Sequence, residues 1–147
     1  MAEPLLAVVR VPVQNSRVDK ALEEEWDAWE AYADEYDTHH LDETKTWVPP
    51  NLGALVRAVR RTSLCRWSPS ASHASLHLCA GVRFDAERSP AFVARNRTDG
   101  YLVYPRYPRG GVDDIQPTLV TNSATEAAAE LERLLTDWNP LPPASPT

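Results

Sequence analysis

The stretch Ser72-His73-Ala74-Ser75-Leu76-His77-Leu78-Cys79 gathers the residues best suited to chemistry. On a strand, alternate residues share a face about 6.6 Å apart. His73, Ser75, His77 and Cys79 then form one row, and Ala74, Leu76, Leu78 and Ala80 form the apolar row behind it. Imidazole and thiolate are zinc ligands, and a fourth ligand would come from His39 or His40. Three side chains along one strand rarely converge on a single ion, so no metal site is assigned and no cofactor is expected. Serine hydrolase chemistry lacks its Gly-x-Ser-x-Gly elbow, and adjacent Ser72 and His73 diverge on a strand. No catalytic residue is therefore assigned. The plain reading is a half-exposed strand face, with His73 hydrogen-bonded to the preceding turn.

Charge gives a second set of candidates. Residues 19–43 carry eleven carboxylates against Lys20 alone, whereas residues 57–109 carry ten arginines against Asp85, Glu87 and Asp99. Such separation polarises a surface and steers charged partners. Glu24, Asp27 and Asp34 are the acidic binding candidates, and Ser72, His73 and His77 the polar ones. The arginines interleave with Tyr101, Tyr104 and Tyr107 like a base-stacking platform. A chain of net charge −6 with so acidic a helix would repel phosphate, so nucleic acid is not the expected partner. Arg109-Gly110-Gly111 is too short for a phosphate loop, and the carboxylates lack the spacing of a calcium loop.

The elements that must position these groups follow from hydrophobic periodicity. Leu5–Val13 reads as a first strand, with Pro12 at an edge or an end. Ser16 and Asp19 form a capping-box-like start to a helix whose stripe is Val18, Leu22, Trp26, Trp29, Ala33 and Tyr36. A polar connection over His39–Trp47 leads to Pro49-Pro50-Asn51, which punctuates a second helix with Leu52, Leu55, Val56 and Val59 on one face. A strand over Leu64–Trp67, a turn over Ser68–Ser72 and a strand over Ala74–Ala80 come next. A hairpin centred on Ser72 would set Cys65 opposite Cys79, within disulfide range, though reduced thiols are expected. Ala91–Arg97 and Tyr101–Tyr104 pair through Asp99-Gly100. A Pro-, Gly- and Arg-rich loop over Tyr104–Pro117 precedes a short strand at Thr118–Thr121. The last helix starts at Ser123, completes a capping box at Glu126 and stops at Pro140.

This order is an α+β pattern: an antiparallel sheet of about four to five strands, with two N-terminal helices and one C-terminal helix packed mainly on one face. The chain of 147 residues reads as a single domain over 1–139 and a disordered Pro-rich tail over 140–147. Leu5–Val13 contains Arg10 and Pro12 and is no signal sequence, and no run approaches the ~18 apolar residues of a membrane span. A cytoplasmic protein is expected.

Trp67-Ser68-Pro69-Ser70-Ala71-Ser72-His73, the apolar strand after it, Tyr101-Leu102-Val103 and Ala124-Thr125-Glu126-Ala127-Ala128 together resemble a small actinobacterial family. Its members are described as natural-product-biosynthesis-associated proteins of unknown function. The resemblance runs from about Leu52 to Trp138, with Ser70 where the family usually has Phe and Trp67 in place of an aliphatic residue. It implies an accessory role beside a modifying enzyme, with a ribosomal precursor peptide as one cargo, and it carries over no catalytic residue. Ser72 and His73 are its best-matched polar pair.

Three functional readings result. The first is a non-catalytic accessory or chaperone-like protein that binds a protein or peptide partner. The second is an immunity protein whose acidic helix covers the cationic site of a basic toxin. The third is a small enzyme using His73 or His77.

Overall fold

The computed structural model describes residues 13–41, 51–72, 75–82, 86–96, 98–109 and 115–140, with side chains of the first helix from Lys20 to His39. Among the described residues three α-helices, α1 (Val13–Leu41), α2 (Leu52–Arg60) and α3 (Ala124–Leu134), accompany five strands. The strands are β1 (Ser68–Ala71), β2 (Ser75–Cys79), β3 (Phe92–Asn96), β4 (Gly100–Tyr104) and β5 (Leu119–Thr121). They form one antiparallel meander in sequence order. All three helices lie on one face of it, so the α+β architecture expected from periodicity is the one observed.

Alternation along the strands sorts the two faces. Leu76, Leu78, Val93, Tyr101 and Val103 point into the core with the helices. Ser75, His77, Cys79, Phe92, Leu102 and Tyr104 point to the face turned away from the described helices. Across the helical layer, α2 lies between α1 and α3, while α1 packs on β1 and α3 on β4 and β5. Its central position explains why the nine-residue α2 presents a wide apolar side, with Leu52, Leu55, Val56, Ala58 and Val59 all buried and Arg57 and Arg60 left on the remaining side.

Trp26 anchors α1. Its ring is buried, and its indole N–H donates to the carbonyls of Cys65 and Trp67 at 3.0 and 2.9 Å. Two carbonyls of the segment entering the sheet thus find their donor in a helix roughly forty residues upstream. Gly100 closes the β3–β4 hairpin with φ +83°, where an added Cβ would stand 2.4 Å from Asn122 Oδ1 and 2.8 Å from the Thr121 carbonyl. At α3 the Ser123 hydroxyl accepts from Glu126 N–H at 3.1 Å. The return half of the capping box runs through Thr121, whose hydroxyl donates to Glu126 Oε1 at 2.6 Å and accepts from Ser123 N–H at 3.0 Å.

Several sequence expectations are corrected. Leu64–Trp67 is no strand: Ser63–Arg66 form a 3₁₀ helix capped by Thr62, whose hydroxyl accepts from Leu64 N–H at 3.1 Å. The strand instead occupies Ser68–Ala71, read as a turn. β1 is an edge strand, where the missing N–H of Pro69 is tolerated. Its register pairs Ser68 with Cys79, which leaves Cys65 on the 3₁₀ helix and both thiols free. α1 begins at Val13, so Ser16 falls inside the first turn; unsatisfied N–H groups there suit polar residues as well as the cap does. Val13, the last residue of the expected first strand Leu5–Val13, is helical, while residues 5–12 of that strand, His73 and residues 141–147 of the expected tail over 140–147 lie outside the described residues.

Candidate protein-binding face

The geometry of α1 divides its side chains into three sides. Trp26 and Ala33 face inward, with Leu22 packed against the same core. A second side, at Asp27, Glu30, Asp34 and Asp37, meets α2. Arg57 and Arg60 lie one turn apart on α2, which matches carboxylates spaced three and four apart on α1. Arg57 pairs with Asp34 and, at 3.3 Å, with Glu30. Arg60 pairs with Glu30 and, at 2.8 Å, with Asp27. Hydrogen bonds, to Asp34 and Glu30 respectively, hold both guanidinium groups above their ordinary pKa. Asp37 sits over the N-terminus of α2, accepting from Leu52 N–H at 2.9 Å and Gly53 N–H at 2.8 Å. Part of the acidic surface is thereby engaged inside the molecule.

The third side is aromatic. Trp29 meets Tyr32 edge-on at 5.3 Å, and Tyr36 lies 6.3 Å beyond Tyr32. Tyr32 is 49% exposed and separates two shallow depressions. One of about 300 Å³ is lined by Glu25, Ala28, Trp29 and Tyr32, and one of about 210 Å³ by Tyr32, Glu35, Tyr36 and His39. The Trp29 indole N–H donates to Glu25 at 3.3 Å. Glu24 and Glu35 are exposed and have no ionic partner among the described residues.

The candidate residues that are described therefore do not form one site. Glu24 faces solvent, while Asp27 and Asp34 belong to the α1–α2 seam. Ser72 and His77 lie with β1 and β2, on the other side of the sheet from the helices. Ser72 is exposed in the β1–β2 connection, its hydroxyl 3.1 Å from that of Ser75. His77 is only 6% exposed rather than half-exposed, because the β4–β5 loop brings Tyr107 over it at 6.5 Å. Burial, and secondarily the charge of Arg88, push its pKa down to about 4, so it is neutral near pH 7. Among the described residues no three of His, Cys, Asp and Glu converge as a metal would require.

The arginines likewise disperse. Arg57 and Arg60 serve α1, Arg133 pairs with Glu130, and Arg95 is 2% exposed. Arg95 donates to Asn51 Oδ1 at 3.0 Å and lies 5.5 Å from the Tyr36 ring centre. Trp29 and Tyr36 pack against the core as their place in the helix stripe predicts, but both are only half-buried and share their outer edges with Tyr32, which the stripe does not include. The signal was present: Trp29, Tyr32 and Tyr36 form their own ladder at spacings of three and four, rotated from the Leu22, Trp26 and Ala33 stripe. No helix among the described residues is long and apolar enough to cross a membrane. No protein-family model, curated protein or solved structure matches this chain.

Proposed function

We propose that this chain is a non-catalytic accessory protein that binds a basic protein or peptide segment through the aromatic side of α1. The observation that carries this reading is the exposed Tyr32, set between Trp29 and Tyr36 and flanked by Glu25 and Glu35, with the exposed Glu24 further along the helix. Tyr and Trp offer large contact area at low entropic cost and seat cations over their rings. Exposed carboxylates beside them add steering and select for Lys or Arg. The resemblance over the Trp67–Leu78 stretch supports an accessory, chaperone-like role in natural-product biosynthesis, with a precursor peptide or its modifying enzyme as partner.

The test is binding to the proteins encoded beside this chain, measured at low and high salt with wild type, Tyr32→Ala and Glu24→Lys/Glu35→Lys. A salt-sensitive complex weakened at least tenfold by either variant supports the reading. A complex that forms equally well with both variants, or no complex with any neighbour at low salt, overturns it. The unpaired Glu24 and Glu35 also suit an immunity protein against a cationic toxin. Protection from an adjacently encoded toxin, lost in the same charge-reversal variant, distinguishes that case.

A further inference from the structure

The sheet face turned away from the described helices carries an aromatic seat distinct from the α1 face. Phe92 and Tyr104 project from neighbouring strands and stack at 5.2 Å and 17°. Tyr107, from the loop beyond β4, lays its ring on Phe92 at 4.5 Å and 12°. The His77 ring closes one edge of the Tyr107 ring, 6.5 Å away and inclined at 72°. Tyr107 is itself 41% exposed and is held there by stacking on a loop rather than by a strand.

Two groups around this seat are left unanswered. Neither Nδ1 nor Nε2 of His77 has a hydrogen-bond partner among the described residues, although the residue is almost wholly buried. Buried polar groups are normally paired, so an orphaned imidazole marks a place where a partner is due. Arg88 lies opposite Cys79 in an isolated antiparallel bridge, which puts its side chain on the same face as Cys79 and His77. Its positive charge reaches His77, Cys79 and Tyr107, yet it has no carboxylate partner among the described residues.

We propose that this seat binds a small planar aromatic carboxylate, which takes the place of the Tyr107 ring on Phe92. The ligand's ring would stack where a phenol ring already stacks. Its carboxylate would face Arg88, and a polar ring substituent or carboxylate oxygen would meet His77. Neutral imidazole offers one donor and one acceptor, so the anion is recognised by Arg88 and the ligand's orientation by His77. Tyr107 acts as a displaceable cover, its ring leaving Phe92 as the ligand's ring takes its place.

The probe is 4-hydroxybenzoate, with uncharged 4-methylphenol as its control, titrated into the full chain by calorimetry and by NMR of the His77 ring. Expected results are saturable binding of the acid to wild type with a shift of the His77 resonances, and at least tenfold weaker binding of 4-methylphenol. Tyr107→Ala, which opens the seat, should bind the acid at least tenfold more tightly, and Arg88→Gln at least tenfold more weakly. Tyr107→Leu keeps an apolar cover if the alanine variant does not fold. No binding by wild type, binding by the Tyr107 variants alone, or undiminished binding by Arg88→Gln overturns the proposal, the second outcome showing that Tyr107 is a permanent plug.

Discussion

Asp37 caps a helix that is not its own: from α1 it takes the N–H of Gly53 at 2.8 Å and that of Leu52 at 2.9 Å, at the first turn of α2. Asn51, the residue in the cap position, makes no side-chain cap. Its carbonyl oxygen accepts from Tyr101 and its amide oxygen from Arg95. The two residues have divided the work, so α2 owes its N-terminal satisfaction to tertiary contact. Gly53 permits the close approach, since a Cβ there would stand 3.0 Å from Asp37 Oδ2.

Asp37→Ala is expected to destabilise the fold by about 1–2 kcal/mol, the range of a lost N-cap with its helix-dipole contribution. Asp34→Ala removes only a solvent-exposed pairing with Arg57 and should cost less than about 1 kcal/mol. Urea denaturation of both variants checks the order. Equal losses would mean that Asp37 acts as one more surface charge.

Trp26→Phe keeps most of the buried ring but removes the N–H that serves the carbonyls of Cys65 and Trp67. A loss of about 2–3 kcal/mol is expected from two unmet carbonyls and a small void. Guanidinium denaturation measures it, and a loss below about 0.5 kcal/mol would show that water replaces the indole.

Gly100→Ala combines left-handed backbone with a Cβ pressed against the Thr121 carbonyl of β5 at 2.8 Å. Both effects oppose folding, and about 2–3 kcal/mol of destabilisation is expected. Hydrogen exchange should locate the loss in β4 and β5, the strands whose pairing the methyl group would disturb.

His77 sets a pH dependence. Its pKa is 6.5 in the unfolded chain and about 4 when folded, with burial the main cause and Arg88 the second. Between these values the unfolded chain binds the extra proton, so stability present above pH 6.5 is lost as the pH falls towards 4. The full effect is about 3 kcal/mol. His77→Phe should lose less stability between pH 7 and 4.5 than wild type does, which urea midpoints at the two pH values would reveal. Parallel pH profiles would place the His77 ring in water.

Local periodicity by itself determined much of this protein. The spacing of Leu22, Trp26 and Ala33 specified the inward side of α1, Asp99-Gly100 the β3–β4 hairpin, and Ser123 with Glu126 the start of α3. Each is a signal within a few residues, where backbone geometry alone says which groups share a face. Over Leu64–Ala71 the local pattern does not distinguish a 3₁₀ turn followed by a Pro-containing edge strand from a strand followed by a turn. Only Trp26 above it and β2 beside it select between them. The tertiary structure also decided which charges remain available, because Asp27 and Asp34 are engaged by arginines 33 and 23 residues away. It likewise closed Tyr107 over His77. Pairing across such separations depends on how packed elements dock, and no residue pattern within one element records that.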